Sequence, residues 1–135
     1  MRRSDVDTFE KLAGQIVSTY DEVALLSKKS PNDALNKFKL NFINTLLKKS
    51  NEFLGKEYMP FEEFTAFDVD EIPQNSDVVF ILSQYLQCFE KLRADNVSVQ
   101  HGIWYWAVEP DENDSSEEEN GLVYIRTVKP KRLRE

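Results

Sequence analysis

The stretch VSVQHGIWYWAVEPDENDSSEEENGLVYIRTV, residues 97–128, decides the fold. Apolar residues recur with a period near two through VSVQHGIWYWAV and again through LVYIRTV, as in strands whose successive side chains point to opposite faces. The two runs predict strands over about 97–108 and 122–129, paired antiparallel. The connection between them, an acidic loop over 109–121, is longer than most hairpin turns. On the first strand Trp104 and Trp106 share a face with Val108, while Ile103 and Tyr105 share the other with Val99. On the second, Leu122, Tyr124 and Val128 oppose Val123 and Ile125. Both faces are therefore apolar, and a two-stranded hairpin is marginal by itself. Helices from the rest of the chain are expected to cover one face. The other falls to the segment 56–75, to a second copy, or to a different partner.

Upstream of residue 97 the period lengthens to that of a helix. Val6, Phe9, Leu12, Ile16, Tyr20, Val23 and Leu26 form one stripe, and Ser4 and Asp7 have the spacing of a capping box, which predicts a helix over about 5–28. SPND then reads as a restart, with Ser30 as cap and Pro31 at the first helical position. Leu35, Phe38, Phe42/Ile43, Leu46/Leu47 and Phe53/Leu54 extend a second helix over about 31–54, closed by Gly55. So short a break implies an antiparallel helical hairpin. Residues 56–75 lose the periodicity, but Phe61, Phe64, Phe67, Val69 and Ile72 suggest a segment strapped onto the helices. A third helix follows over about 76–95, with Val78, Ile81/Leu82, Tyr85, Cys88/Phe89 and Leu92 as its stripe. The fold class expected is α+β: three main helices with a C-terminal antiparallel β-hairpin packed on them, in one domain spanning 1–135.

Composition narrows the function classes. The 135 residues are 41% hydrophobic with four Gly and five Pro, a globular balance. The longest apolar run, Ile103–Val108, is too short for a signal peptide or a membrane span, and the lone Cys88 suits a reducing compartment, so a cytoplasmic protein is expected. Seven of the 24 carboxylates lie between Glu109 and Glu119, leaving seventeen acidic against seventeen basic residues elsewhere. The charge is thus polarised into an acidic loop and a basic tail carrying Lys129, Lys131, Arg132 and Arg134. Ser115 and Ser116 precede carboxylates, a context that acidophilic kinases favour.

Catalytic signals are weak. His101 is the one histidine, and Asp68, Asp70 and Glu71 are the densest carboxylates outside the loop, a conceivable hard-metal cluster for a hydrolase. DVDE lacks the spacing of a calcium loop, and there is no phosphate-binding glycine loop and no nucleophile elbow. Cys88 falls on an apolar stripe and reads as packing. No catalytic residue, metal or cofactor is expected. The leading expectation is a non-catalytic protein-interaction module, a homo-oligomer or part of a complex. Its contact residues would be Trp104, Trp106, Tyr124, Arg126, Lys129, Lys131, Arg132 and Arg134, with at least one tryptophan going to the core instead. The alternative is a single-stranded nucleic-acid platform in which the same tryptophans stack bases beside the basic tail.

Overall fold

The computed structural model describes residues 1–112 and 121–131. It is an α+β fold in which three helices precede a small antiparallel sheet: α1 (Arg3–Lys29), α2 (Lys37–Tyr58), α3 (Asn75–Asp95), β1 (Val97–Gln100), β2 (Ile103–Val108) and β3 (Val123–Arg126). Helix α1 runs antiparallel to both other helices. Its N-terminal half meets the C-terminal halves of α2 and α3, with Phe9 against Phe53 and Phe89. Its C-terminal end meets the start of α2 through the Glu22–Lys39 ion pair, 2.8 Å.

The expected first strand is two strands. His101 and Gly102 both hold positive φ (53° and 78°), which closes a two-residue hairpin between the facing pair Gln100 and Ile103. The sheet is therefore a three-stranded meander in the order β1-β2-β3. The turn also changes which residues share a face. Val99 lies opposite Trp104, and Val97 opposite Trp106, so both valines stand on the tryptophan face and not with Ile103 and Tyr105. Ile125, opposite Trp106 from β3, completes that face.

The tryptophan face carries the core. Trp106 is fully buried, and its ring meets Phe9 edge-on at 4.8 Å between centroids. Phe9 also touches Phe53 at 6.2 Å and Phe89 at 5.4 Å, so each helix and the central strand contribute one ring to a single aromatic cluster. Edge-to-face pairs of this kind add to the stabilisation from buried area.

The first and third helices lie close to their expected limits. At the start of α1 the Asp5 carboxylate accepts the N–H of Arg2, the cap, at 2.9 Å, two residues earlier than the expected Ser4 cap. Ser4 instead donates its hydroxyl to Asp111 at 3.0 Å. The chain start is also tied to the end of β2, because Arg3 N–H donates to Glu109 and Glu109 N–H to Met1.

Helix α2 begins six residues later than expected. The backbone of residues 31–35 is engaged with residues 73–76 instead: Leu35 N–H donates to Pro73, Asn75 N–H to Asp33 and Ser76 N–H to Pro31. Asn36 is the cap, its side-chain oxygen accepting from Phe38 and Lys39. Gly55, at φ 68°, interrupts the helix as expected, although one further turn reaches Tyr58.

The segment between α2 and α3 is strapped onto the helices. The Asn44 amide makes two hydrogen bonds with the Phe67 backbone, both 2.9 Å, and Asn51 donates to Thr65. Phe61, Phe64 and Phe67 stack edge-on in a ladder, and Phe64 and Phe67 reach the core. The strap is thus anchored on α2 and lines a hollow together with α3.

Candidate interaction surfaces

Three surfaces stand out: the sheet with its polar seam, a groove between α1 and α2, and an apolar patch where the strap meets α3.

On the sheet, Glu10 of α1 is the hub of the seam. One carboxylate oxygen accepts from Arg93 Nη1 at 2.9 Å, from the Trp106 indole N–H at 3.0 Å and from the Thr127 hydroxyl at 3.1 Å. Arg93 is 5% exposed and also hydrogen-bonds Thr127. Its guanidinium lies over the rings of Phe9 and Trp106, 5.0 and 5.4 Å from their centroids, and its Nε is 3.5 Å from Glu90. A planar, weakly hydrated guanidinium suits such a half-stacked, half-paired site. Glu90 in turn accepts the Lys131 N–H at 3.0 Å, so the start of the basic tail is docked on α3.

The eight expected contact residues are thus divided. Trp106 is core and presents no surface, which meets the expectation for at least one tryptophan. Trp104 is half-buried on the same face, one pair further out. Tyr124 and Arg126 stand on the opposite face with Tyr105, which pairs directly with Arg126. Lys129 and Lys131 are exposed, and Arg132 and Arg134 lie outside the described residues. So do most of the acidic loop and both serines, Ser115 and Ser116.

The groove between α1 and α2 was missed by the sequence reading. Phe38 and Phe42, expected in the core, are 70% and 64% exposed and pack edge-on against each other at 5.0 Å. The expected Ile43, Leu46, Leu47 and Leu54 are buried, joined by Leu40 and Ser50 in place of the two rings. The two rings flank a groove of about 670 Å³ whose other wall is α1, from Lys11 through Gly14 and Ser18 to Glu22. At the strap, Phe80 of α3 is exposed beside Ile72, Phe64 and Phe67, with Glu71 and Asp77 on the rim of a hollow of about 640 Å³.

The residues weighed for catalysis are scattered. His101 sits exposed at the hairpin tip. Asp68 accepts the N–H of Asp70 at 2.8 Å in a local turn, and no group of three or more His, Cys, Asp or Glu among the described residues is placed to hold a metal ion. Cys88 packs half-buried against the core, and burial pushes its thiol up, away from the reactive thiolate. Burial likewise raises Tyr85, whose hydroxyl donates to Asn51 at 2.7 Å. Tyr58 donates to Asp95 at 2.8 Å and is pushed up to about 12, chiefly by that bond. No helix among the described residues is long and apolar enough to cross a membrane. No family model, curated protein or solved structure matches the chain.

Proposed function

We propose that the protein is a non-catalytic protein-interaction module of the cytoplasm, acting through contact surfaces on its helices and sheet. The observation that carries this reading is the exposed Phe38–Phe42 pair. The core is closed without these rings, since one ring from each helix and Trp106 already fill its centre. Scattered single apolar residues on a surface need no explanation, but paired aromatics lining a groove mark a contact site. Phe80 with the strap, and Trp104 with Val99 at the rim of the sheet, are secondary contacts under the same reading. Capture of the tagged chain from its native host, with and without nuclease, tests it. A stoichiometric protein, or a second copy, that survives nuclease and is lost on Phe38→Ser/Phe42→Ser supports the reading. A monomer that retains nothing overturns it.

The nucleic-acid alternative rests on the outer face of the sheet. With Trp106 in the core, its stacking residues would be Tyr105 and Tyr124 beside Arg126 and the exposed lysines 129 and 131. Salt-sensitive retention of a single-stranded oligonucleotide, weakened by Tyr105→Ala and Arg126→Ala, would favour it.

A further inference from the structure

We propose that the α1/α2 groove seats an acidic amphipathic helix supplied by a partner protein, an inference that rests on the interaction-module reading and names the partner's chemistry. Three independent features of the groove point to such an occupant. Its exposed apolar surface is the rings of Phe38 and Phe42, over a floor of the core residues Val23, Ile43 and Leu46, and such a surface receives the i, i+3, i+4, i+7 side chains of a helix.

The second feature is Gly14. A glycine in mid-helix costs stability relative to alanine, and a side chain here would meet nothing within 4 Å. Neither backbone conformation nor internal packing therefore calls for glycine at this position. What its bare backbone does provide is close approach for a body lying along α1. Ser18 continues the low wall one turn on, and exposed Leu25 lies two turns further along the same stripe.

Charge is the third. The groove carries Lys11, Lys39 and Lys49 against one acid, Glu22, which is already paired with Lys39. Helix α2 as a whole holds five lysines and two glutamates, in a chain whose net charge is −7. With three lysines against one glutamate, this rim attracts an acidic partner. A second copy placed groove to groove would set the same lysines against one another. The chain's own acidic run, Glu109–Glu119, offers carboxylates but no large apolar residue to pack against the rings.

The test uses the full chain and a fluorescein-labelled designed helix of about five turns, with leucines on one face and glutamates on the other. Its twin replaces every glutamate with lysine. Anisotropy titrations should show binding of the acidic peptide, at least tenfold weaker binding of the twin, and affinity that falls between low and high salt. Phe42→Ala and Lys49→Glu should each weaken the acidic peptide about tenfold. Gly14→Leu should abolish binding while leaving the thermal midpoint equal to or above that of the parent, because leucine is the better helix former in open space. That opposition of sign separates a docking role from a structural one. Equal binding of the two peptides, no binding of the acidic one, or indifference to the groove substitutions overturns the proposal. If sedimentation then shows a dimer that Phe42→Ala dissolves, the groove belongs to a second copy and the interaction reading stands. A monomer with no captured partner removes both.

Discussion

Replacing Glu10 by alanine tests the energetics of the polar seam. One oxygen of this carboxylate takes hydrogen bonds from Arg93, Trp106 and Thr127, and two of these donors belong to residues with little or no exposure. Removing it strands the Trp106 N–H in the core and leaves Arg93 with Glu90 at 3.5 Å and Thr127. Breaking a fully buried ion pair costs about 3–5 kcal/mol, and orphaning a buried neutral donor about 1–3 kcal/mol. The Glu10 side chain is 44% exposed, so water reaches part of the vacated site and the pair is already weakened by solvent. The expected loss is therefore about 2–3 kcal/mol. Urea unfolding followed by far-ultraviolet circular dichroism and by tryptophan fluorescence reads it, as a lower midpoint at an unchanged slope. The cause is isolated by the double variant Glu10→Leu/Arg93→Met. If the cost comes from an uncompensated guanidinium, removing both charges should recover at least about 1 kcal/mol relative to the sum of the single changes. A loss under about 0.5 kcal/mol for Glu10→Ala, or strict additivity in the double variant, refutes the reasoning.

Asn44→Ala, which removes both hydrogen bonds to Phe67, should cost about 2 kcal/mol and open the strap to limited proteolysis before the helices unfold; cleavage no faster than in the parent would speak against the strap's anchoring. At the hairpin tip, Gly102→Ala forces an L side chain to φ 78° and should cost about 1–2 kcal/mol, whereas His101→Asn should be neutral or stabilising by thermal melting. Tyr58 should ionise late. Its bond to Asp95, reinforced by burial and by the charges of Asp95 and Glu57, holds the folded phenol near 12 against an ordinary 10.0. Its contribution to stability is therefore complete below pH 10 and lost as pH rises through 12. Asp95 has the opposite sign: bonded first by Lys91 and then by Tyr58, it is held below its ordinary 3.8, and its contribution is lost as pH falls through that lowered value. Asp95→Asn should return the tyrosinate absorbance of Tyr58 toward pH 10, and an unmoved titration would show that the bond is not the cause.

How much the sequence disclosed depends on whether local or distant contacts decide each element. Helices α1 and α3 were legible because the stripe read from the periodicity of each is the one the chain buries. Helix α2 is apolar on two sides, and periodicity alone does not tell which of them the chain buries. Phe38 and Phe42 fell on the stripe that stays in solvent, so the groove was hidden inside a correct helix assignment. Its late start is decided by hydrogen bonds to residues forty positions downstream. The sheet was legible as strand, yet the His101–Gly102 pair was not read as dividing it in two, because the residues on either side are as apolar as a continuous strand. Such a turn changes the face assignment on one side of it, which is why Val99 was set apart from Trp104. Arg93 was not legible at all. Nothing local distinguishes it from a surface arginine, and its partner Glu10 is 83 residues away.

The aromatic cluster at Phe9 also has a consequence for the order in which the protein is made. Synthesis delivers the Phe9, Phe53 and Phe89 rings before Trp106, and the hydrogen bonds that hold the chain start to Glu109 come later still. A nascent chain with all three helices complete still lacks the ring that covers Phe9 and the strand that holds its first residues. The helices can collapse on one another during translation, but the native centre closes only when the last quarter of the chain emerges. Until then Phe9 lacks its edge-on partner from the sheet, and transiently exposed apolar surface of this kind is what makes incomplete folds prone to aggregation.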